Sequence, residues 1–188
     1  MIKIGVTGSL ASGKSTFAKL LAQKKYPIFN ADKEVNDLYK KNFFKDKIKN
    51  IFNFENKTNL KKKVKAVIKQ DNKKIKKLEA IIHPLVRKQM KAFMLSKKRK
   101  KILIFDIPLL IESKLMKHFD VIVFVTSKKK IRLKRYLFNK GNNKIFTILN
   151  KRQIKPRKKM KMSDHTIFNN SSFKILKIKA KMLIKNYE

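Results

Sequence analysis

The stretch from Gly8 to Ser15 constrains the fold more than any other part of this chain. Its letters are GSLASGKS, which match the pattern G-x-x-x-x-G-K-[ST]. An apolar run at residues 2–6 precedes it and predicts a strand, and residues 15–22 carry apolar side chains at helical spacing. A strand, a glycine-containing loop and a helix are the parts of a phosphate-binding loop (P-loop). The sequence therefore predicts a nucleoside-triphosphate site.

The residue types of this loop suit phosphate chemically. Glycines let backbone N–H groups turn inward around a phosphate, and the N-terminus of the following helix adds the positive end of its dipole. We expect the Lys14 ammonium to reach the β- and γ-phosphates and the Ser15 hydroxyl to bind Mg²⁺. The predicted nucleotide-binding residues are Ser9, Leu10, Ala11, Ser12, Gly13, Lys14, Ser15 and Thr16.

The rest of the chain alternates short apolar runs with helical patterns. The predicted strands cover residues 2–6, 27–29, 101–106, 119–125 and 165–168. The predicted helices cover residues 14–24, 128–139, 144–153 and 172–185, and a basic helical stretch covers 37–98. Within that stretch we expect Pro84 to open a new helix, because proline suits the first helical position. The alternation predicts an α/β fold, a three-layer α/β/α core around a mainly parallel sheet.

Composition narrows the class of protein. A length of 188 residues suits one domain, or one core with small insertions. The chain has no cysteine, which excludes disulfides and thiolate metal sites and is compatible with a reducing compartment. Because the first residues enter a strand and no apolar run approaches the length of a membrane span, we expect a cytoplasmic protein.

The charge of the chain allows two interpretations. Lysine and arginine number 51 against 12 aspartates and glutamates, which gives a formal net charge of +39. Such a field attracts polyanions, so one interpretation is a nucleic-acid-binding protein. The other is drift of composition toward Lys, Ile, Asn and Phe in an AT-rich genome. Lysine is spread along the whole chain and does not form one arm, which favours drift.

Two aspartates end predicted strands. In a phosphate-loop enzyme, an acid at the position of Asp106 helps to hold Mg²⁺; the alternative is an ordinary strand-end residue that caps the next segment. Asp32 follows the second strand, and sites in this architecture lie at the carboxyl ends of strands. It is either an acceptor for the proton of an attacking hydroxyl or an acid in the first turn of a helix. Position alone leaves both interpretations of Asp32 open.

Several basic residues have candidate roles. His83 and Arg87 are four residues apart and share one face of a helix. The arginine suits a phosphate, and a solvated face explains the spacing equally well. The candidates for a mobile basic lid over the triphosphate are Arg132, Lys134, Arg135, Arg152 and Arg157.

Six segments together resemble one enzyme family. They are residues 5–8 with 12–15 (GVTG and SGKS), 30–32 (Asn-Ala-Asp), 83–87 (HPLVR), 106–112 (DIPLLIE), Gln153 and 163–169 (SDHTIFN). Their order and spacing are similar to those of dephospho-coenzyme A kinases, over nearly the whole chain. The HPxVR and DxPLLxE segments are specific to that family among P-loop kinases. The resemblance implies that ATP phosphorylates the ribose 3′-hydroxyl of dephospho-CoA, giving CoA and ADP in the last step of coenzyme A biosynthesis.

The resemblance also implies roles for single residues. It favours Asp32 as the base for the ribose hydroxyl, and it implies that Asn169 lies by the adenine of ATP. The expected catalytic residues are Asp32, Lys14 and Arg135. The expected substrate-binding residues are Asp32, His83, Arg87, Pro108 and Leu109. The expected Mg²⁺ ligands are Ser15 and, through a water molecule, Asp106.

The same resemblance divides the chain by role. Residues 1–32, 101–127 and 159–188 form the expected nucleotide-binding core. Residues 33–100 form a helical dephospho-CoA-binding region, and residues 128–158 form a lid over ATP. The expected partners are ATP and dephospho-CoA, without a membrane or a specific nucleic acid, and a monomer is favoured.

The chain departs from the family pattern at four places. Asn30 replaces the first acid of the usual Asp-Ala-Asp segment, and Ser163 replaces the usual alanine. Ala11 stands where glycine is common, which the loop tolerates if the φ angle of Ala11 is negative. Family lids often carry Arg-Asp where this chain has Asn-Lys at 139–140. The lid cation is therefore Arg135, or it is replaced by Lys140.

Two other classes of function compete with a small-molecule kinase. A nucleic-acid-dependent ATPase would explain the charge, but the sequence has no helix-turn-helix, zinc pattern or aromatic RNA-binding motif. A GTPase is disfavoured because residues 150–153 (NKRQ) lack the final acid of the guanine-recognising N-K-x-D pattern.

Overall fold

Five parallel strands form the sheet at the centre of the fold. The computed structural model describes residues 1–56, 58–70 and 72–188. The strands are β1 (Ile2–Gly8), β2 (Ile28–Asn30), β3 (Ile102–Asp106), β4 (Val121–Thr126) and β5 (His165–Phe168). They lie in the order β2-β3-β1-β4-β5, and every neighbouring pair is parallel. The predicted strands and the parallel α/β sheet are confirmed.

Strands β3 and β4 are buried along their whole length. Continuous apolar runs are typical of parallel strands covered on both faces, because no alternate residue meets water. The main hydrophobic core joins β1, β3 and β4 to apolar side chains of two helices, α1 (Lys14–Ala22) and α9 (Phe173–Lys185). Phe17 of α1 and Ala180 of α9 are fully buried in it. Helix α1 is thus fixed against the sheet at the end of the loop that it follows.

Three further helices belong to the same unit as the sheet. They are α6 (Lys129–Phe138), α7 (Asn143–Arg152) and α8 (Pro156–Lys161), and a short 3₁₀ turn covers Met116–His118. The Asn142 side chain caps α7 by accepting the N–H groups of Lys144 and Ile145. Sequence reasoning missed α8, although Pro156 at its first turn is a typical start signal.

Residues 31–96 form a separate helical unit, while residues 1–30 and 97–188 form the unit that contains the sheet. The helices of the first are α2 (Ala31–Leu38), α3 (Asn42–Phe52), α4 (Leu60–Gln70) and α5 (Asn72–Ser96). Their shared core contains Leu38, Phe44, Ile48, Leu60, Val64, Leu78 and Ile81. The functional roles expected for residues 33–100 and 128–158 stay predictions.

The predicted new helix at Pro84 is wrong, because α5 continues through that residue. A proline inside a helix removes one backbone hydrogen bond and costs about 3 kcal/mol. Apolar side chains on both sides of Pro84, Leu78 and Ile81 before it and Leu85 and Val86 after it, join the same core. Packing of both halves offsets the lost bond and keeps the helix continuous.

Candidate nucleotide site

Residues 9–13 form a loop between the end of β1 and the start of α1. Gly13 precedes α1 with a φ of 87°, and a Cβ atom there would collide with the amide nitrogen of Asn169. A Cβ atom on Gly8 would lie 2.7 Å from Ser12 Oγ and 2.8 Å from the Val125 carbonyl oxygen. Both glycines are therefore required by the local packing, which confirms the expected strand, loop and helix.

The φ of Ala11 is +58°, so the condition under which the loop would tolerate alanine at no cost, a negative φ, is not met. The left-handed conformation brings the Cβ atom of an L-residue close to the following carbonyl and costs about 1–2 kcal/mol. Ala11 is the third residue of a turn that is closed by a hydrogen bond of 3.1 Å from the Ser12 N–H to the Ser9 carbonyl. A glycine would adopt the left-handed conformation without that cost, so Ala11 stores strain in the middle of the loop.

Both backbone polar groups of Leu10 are bound by side chains from far along the chain. Its N–H donates to Gln153 Oε1 at 2.9 Å, and its carbonyl accepts from Arg132 Nη1 at 3.2 Å. Arg132, only 4% exposed, also donates to the Ser127 carbonyl and to Asn150 Oδ1. Burial lowers the pKa of the Arg132 guanidinium below its ordinary value. The guanidinium of this predicted lid residue is thus bound to protein oxygens beside the loop.

The Ser12 carbonyl is held in the same way. Asn169 Nδ2 donates to it at 2.8 Å, and Arg135 Nη1 donates at 3.3 Å. Arg135 Nη2 also donates to the Asn169 carbonyl at 3.2 Å. The structure thus brings two predicted site residues, Arg135 and Asn169, to the loop. The Ser12 hydroxyl is buried without a hydrogen-bond partner in the described part of the chain, which fits a loop that binds phosphate oxygens.

Three predicted residues complete the loop and its helix. The Ser9 hydroxyl shares a hydrogen bond of 3.1 Å with the Thr126 hydroxyl at the end of β4. Ser15 is half-buried in the first turn of α1, and Thr16 beside it is exposed.

Lys14, the first residue of α1, and Asp106, the last residue of β3, form a buried ion pair. Asp106 is 1% exposed, and its second oxygen accepts from Asn30 Nδ2 at 2.7 Å. This contact follows from the sheet register, which pairs Asn30 with Asp106. An amide at position 30 can donate to the carboxylate, whereas an aspartate there would repel it. The departure at Asn30 therefore has a clear local consequence.

A second ion pair lies just after β3. Lys159 Nζ is 2.6 Å from Glu112 Oε1, and the lysine is 1% exposed. The same glutamate oxygen accepts the N–H of Ile154 at 3.2 Å. Burial lowers the pKa of the Lys159 ammonium, Glu112 raises it, and the charge of Lys14 lowers it further. Sequence reasoning gave Lys159 no role, because one more lysine carries little information in so basic a chain.

The turn between β3 and Glu112 contains two predicted substrate-binding residues. Pro108 and Leu109 are half-buried there, and the Pro108 carbonyl accepts from Thr7 Oγ1 at 2.9 Å. Leu110 is fully buried and lies against Gly5, whose Cβ position would clash with it. Packing against β1 thus fixes this turn, and its role toward a substrate stays a prediction.

The remaining predicted residues lie in the helical unit. Asp32 is exposed in the first turn of α2, where an acid also stabilises the helix, so its two interpretations both remain. His83 is half-buried on α5 and Arg87 is exposed one turn later. Burial lowers the pKa of His83, Glu79 raises it, and Arg87 lowers it.

Comparison with known proteins identifies the family. The profile of the family described as CoaE, dephospho-CoA kinase, matches residues 2–174. A dephospho-CoA kinase of Fusobacterium nucleatum is 37% identical over 180 residues, which are 92% of each chain. This chain belongs to the dephospho-CoA kinase family. A second family member, from Bartonella henselae, is 36% identical over 169 residues and 87% of each chain. The chain is therefore an ATP-binding transferase of the kinase class.

Solved structures support the fold of a dephospho-CoA kinase. The structure of TT1252 from Thermus thermophilus matches with a TM-score of 0.84 at 23% identity, over 100% of this chain and 98% of the other. Dephospho-CoA kinase from Campylobacter jejuni matches with a TM-score of 0.66 at 21% identity, over 99% and 97%. At this identity the likeness shows a P-loop kinase fold. Among the described helices, none combines the length and apolarity needed to cross a bilayer.

The oxygen donors at the site fit a magnesium ion that is held mainly by phosphates. Mg²⁺ in kinase sites takes one or two protein oxygens and completes its octahedron with phosphate oxygens and water. Ser15 and Asp106 are such donors, and both oxygens of Asp106 already contact protein nitrogens. Within the described residues, no group of three or more His, Cys, Asp or Glu is placed to hold a metal. These donors suit a metal that arrives with ATP.

Proposed function

We propose that the chain transfers the γ-phosphoryl group of ATP to the ribose 3′-hydroxyl of dephospho-CoA, giving CoA and ADP. This reaction is the final step of coenzyme A biosynthesis. Membership of the dephospho-CoA kinase family over residues 2–174 supports the reaction. The single observation that carries the donor half is the loop from Ser9 to Gly13 with the Lys14–Asp106 pair at its end.

The loop and its basic neighbours bind the donor. Backbone N–H groups from Ala11 to Thr16 surround the phosphates, and Lys14 exchanges Asp106 for the β- and γ-phosphate oxygens. Arg135 Nη1 lies 3.3 Å from the Ser12 carbonyl oxygen. Its guanidinium is the second positive charge at the loop, after Lys14, and it stabilises the negative charge of the transferred group. The Ser12 hydroxyl offers a further donor, and Asn169 lies beside the nucleotide.

Ser15 and, through water, Asp106 hold Mg²⁺ in this proposal. When bound, the ion neutralises the negative charge of the phosphates. Asn30 keeps the Asp106 carboxylate in one orientation through its hydrogen bond of 2.7 Å. Phosphoryl transfer depends on positioning and charge more than on covalent chemistry of the protein, so this orientation matters.

Asp32 accepts the proton of the ribose 3′-hydroxyl in this proposal, and His83, Arg87, Pro108 and Leu109 bind dephospho-CoA. Support for Asp32 comes from the family pattern and from its exposed carboxylate two residues after β2. Arg87 is exposed and carries a charge that suits phosphate. The chain acts as a cytoplasmic monomer without a specific nucleic-acid partner, and the even spread of lysine supports the last point.

One assay tests the function. ADP release is measured with ATP and dephospho-CoA, with ATP alone, and with ATP and RNA. We expect ADP and CoA in equal amounts with dephospho-CoA and only background release in the other two. ADP release that RNA stimulates and dephospho-CoA does not would instead establish a nucleic-acid-dependent ATPase. Product analysis by mass spectrometry verifies phosphorylation at the 3′ position.

A further inference from the structure

Ala11 is the strained point of the P-loop. A non-glycine residue with a φ of +58° is held there at a cost. Such residues persist only where the surrounding structure over-determines their conformation. The physical question is which groups keep Ala11 in this conformation.

Four side chains hold the two neighbours of Ala11, and we name them the loop clamp. Two of them bind the backbone of Leu10 and two bind the carbonyl of Ser12. The loop clamp consists of Arg132, Arg135, Gln153 and Asn169. Of the backbone groups that they bind, the Leu10 carbonyl belongs to the peptide before Ala11, and the N–H of the peptide after Ala11, that of Ser12, donates to the Ser9 carbonyl at 3.1 Å. Since both peptides that flank Ala11 are held in this way, its φ angle is held with them.

Gln153 holds the first turn of the loop by both ends of its amide. Its Oε1 accepts from the Leu10 N–H at 2.9 Å, and its Nε2 donates to the Gly8 carbonyl at 3.4 Å. The residue itself is in extended backbone just after α7. It therefore needs support from its surroundings to keep its place.

The Glu112–Lys159 pair supplies that support. Glu112 Oε1 accepts the N–H of Ile154, the residue that follows Gln153, and lies 2.6 Å from Lys159 Nζ in α8. The linker between α7 and α8 is thus attached to the turn after β3 at Ile154, and α8 is attached to the same turn at Lys159. Lys159 also lies 5.9 Å from the centre of the Phe124 ring in β4, so α8 is held against the sheet.

We propose that Gln153, anchored by the Glu112–Lys159 pair, is a positioning residue that keeps the P-loop in its ATP-binding conformation. This chain depends on it because Ala11 must stay left-handed against a steric cost. A glycine at position 11 removes the cost and reduces the dependence. The inference rests on the proposed function only in taking ATP as the ligand.

The test is a double-mutant cycle between positions 11 and 153. The wild type, Ala11→Gly, Gln153→Ala and the double variant are compared for binding of a non-hydrolysable ATP analogue with Mg²⁺ by calorimetry. In the wild-type background, Gln153→Ala should weaken binding about tenfold, because one peptide N–H and one carbonyl lose their partner. In the Ala11→Gly background, the same substitution should weaken it less than about threefold. Gln153→Glu retains the acceptor for the Leu10 N–H, so its affinity for the analogue should lie between those of the wild type and Gln153→Ala.

Asn142→Ala is the matched control. Asn142 caps α7 by accepting the N–H groups of Lys144 and Ile145, at 2.8 Å and 3.3 Å. Its loss should lower the unfolding temperature without changing affinity for the analogue, in either background at position 11. A positioning role predicts an effect on affinity that glycine rescues, whereas a merely structural role predicts an effect on stability alone.

Three results would overturn the inference. If Gln153→Ala weakened binding of the analogue equally in both backgrounds, the role of Gln153 would not depend on the residue at position 11. Unchanged affinity with a lower unfolding temperature would make Gln153 structural only. Absence of analogue binding by the wild type would remove the donor site and both proposals with it. If the wild type binds the analogue but does not phosphorylate dephospho-CoA, the proposed function fails while the cycle can still be read.

Discussion

The P-loop and the helical unit of residues 31–96 are held together by different kinds of contact. The loop is fixed by hydrogen bonds between residues far apart in sequence, such as Ser12 with Asn169 and Leu10 with Gln153. The helical unit rests on an apolar core with helical periodicity, and its ion pair between Lys40 and Asp37 joins neighbours on the chain. Sensitivity to single substitutions should therefore be concentrated at the loop and spread out in the helical unit.

Among substitutions in the two regions, removal of the Lys14 ammonium in the P-loop should have the largest effect, and this effect is on turnover. Lys14→Ala should lower turnover on the order of 10³-fold, because the phosphates lose a preorganised charge. The circular dichroism spectrum should stay close to that of the wild type. Lys19→Ala, an exposed lysine of the same helix, is the control and should retain turnover in the ADP-release assay. Similar losses in both variants would mean that α1 is sensitive as a whole.

Lys159→Met tests whether the second ion pair belongs to the sensitive region. It leaves Glu112, whose side chain is 15% exposed, without its cation, and should lower the free energy of unfolding by about 3 kcal/mol. Lys158→Met on the exposed face of α8 should change it by less than about 0.5 kcal/mol. Urea unfolding measures both. Replacing Glu112 and Lys159 together by methionine should cost less than Lys159→Met, and a larger cost would contradict the argument from an unpaired buried charge.

The Asp32→Asn substitution tests whether the helical unit also contributes a residue on which turnover depends. Loss of the proposed base should lower turnover about 10²-fold and leave binding of the ATP analogue nearly intact. Asp37→Asn on the same helix, where Asp37 pairs with Lys40, should retain turnover. Unchanged turnover in Asp32→Asn would remove this residue from the mechanism and leave it as a helix N-terminal acid.

Replacing alanine by glycine should change the free energy of unfolding in opposite directions in the two regions. Ala11→Gly relieves a left-handed alanine and should raise the free energy of unfolding by about 0.5–1 kcal/mol. Ala92→Gly, on an exposed position inside α5, should lower it by about the same amount, since glycine loses more backbone entropy in a helix. Urea midpoints of the two variants against the wild type measure the difference. A loss of stability in both would show that Ala11 is not strained.

Substitution of His83 in the helical unit should have the smallest effect, which is a change in how stability depends on pH. Its folded pKa lies below the ordinary value of 6.5, mainly because of burial, so the unfolded chain binds the proton more readily. Its contribution to stability is complete above 6.5 and is lost as the pH falls through the folded pKa. His83→Gln should therefore flatten the fall in urea midpoint below pH 6.5. A steeper fall in the variant would reverse the assigned direction.

The sequence predicted the elements well where a local pattern sets them. The fifth strand was expected at residues 165–168 and is found there, because β-branched and aromatic residues at 166–168 favour a strand. The Lys14 loop was likewise found from its local pattern of glycines. At Pro84 the local rule failed, since distant packing against Leu38 and Phe44 decides whether α5 is one helix.

The contacts that hold the loop were beyond a local pattern. Gln153 was recognised as part of the family resemblance. The identity of the residue alone does not indicate that its side-chain amide binds the backbone of both Gly8 and Leu10. The sequence made tolerance of Ala11 conditional on a negative φ, because the preference of alanine is local, whereas its positive φ accompanies the hydrogen bonds from Ser12 to Ser9 and from Arg132 to Leu10. Lys159 is distinguished from other lysines only by burial, which emerges from the fold.

The strand order has a consequence for synthesis of this chain. Strand β1 is at the centre of the sheet, yet its neighbours β3 and β4 begin at Ile102 and Val121. A ribosome must therefore synthesise residues 9–101 before β1 finds a partner in the sheet. The last residue of the loop clamp, Asn169, is synthesised only after all five strands. A nascent chain that already exposes its phosphate-binding residues is thus expected to remain unable to capture ATP until Asn169 and the strands before it have left the ribosome.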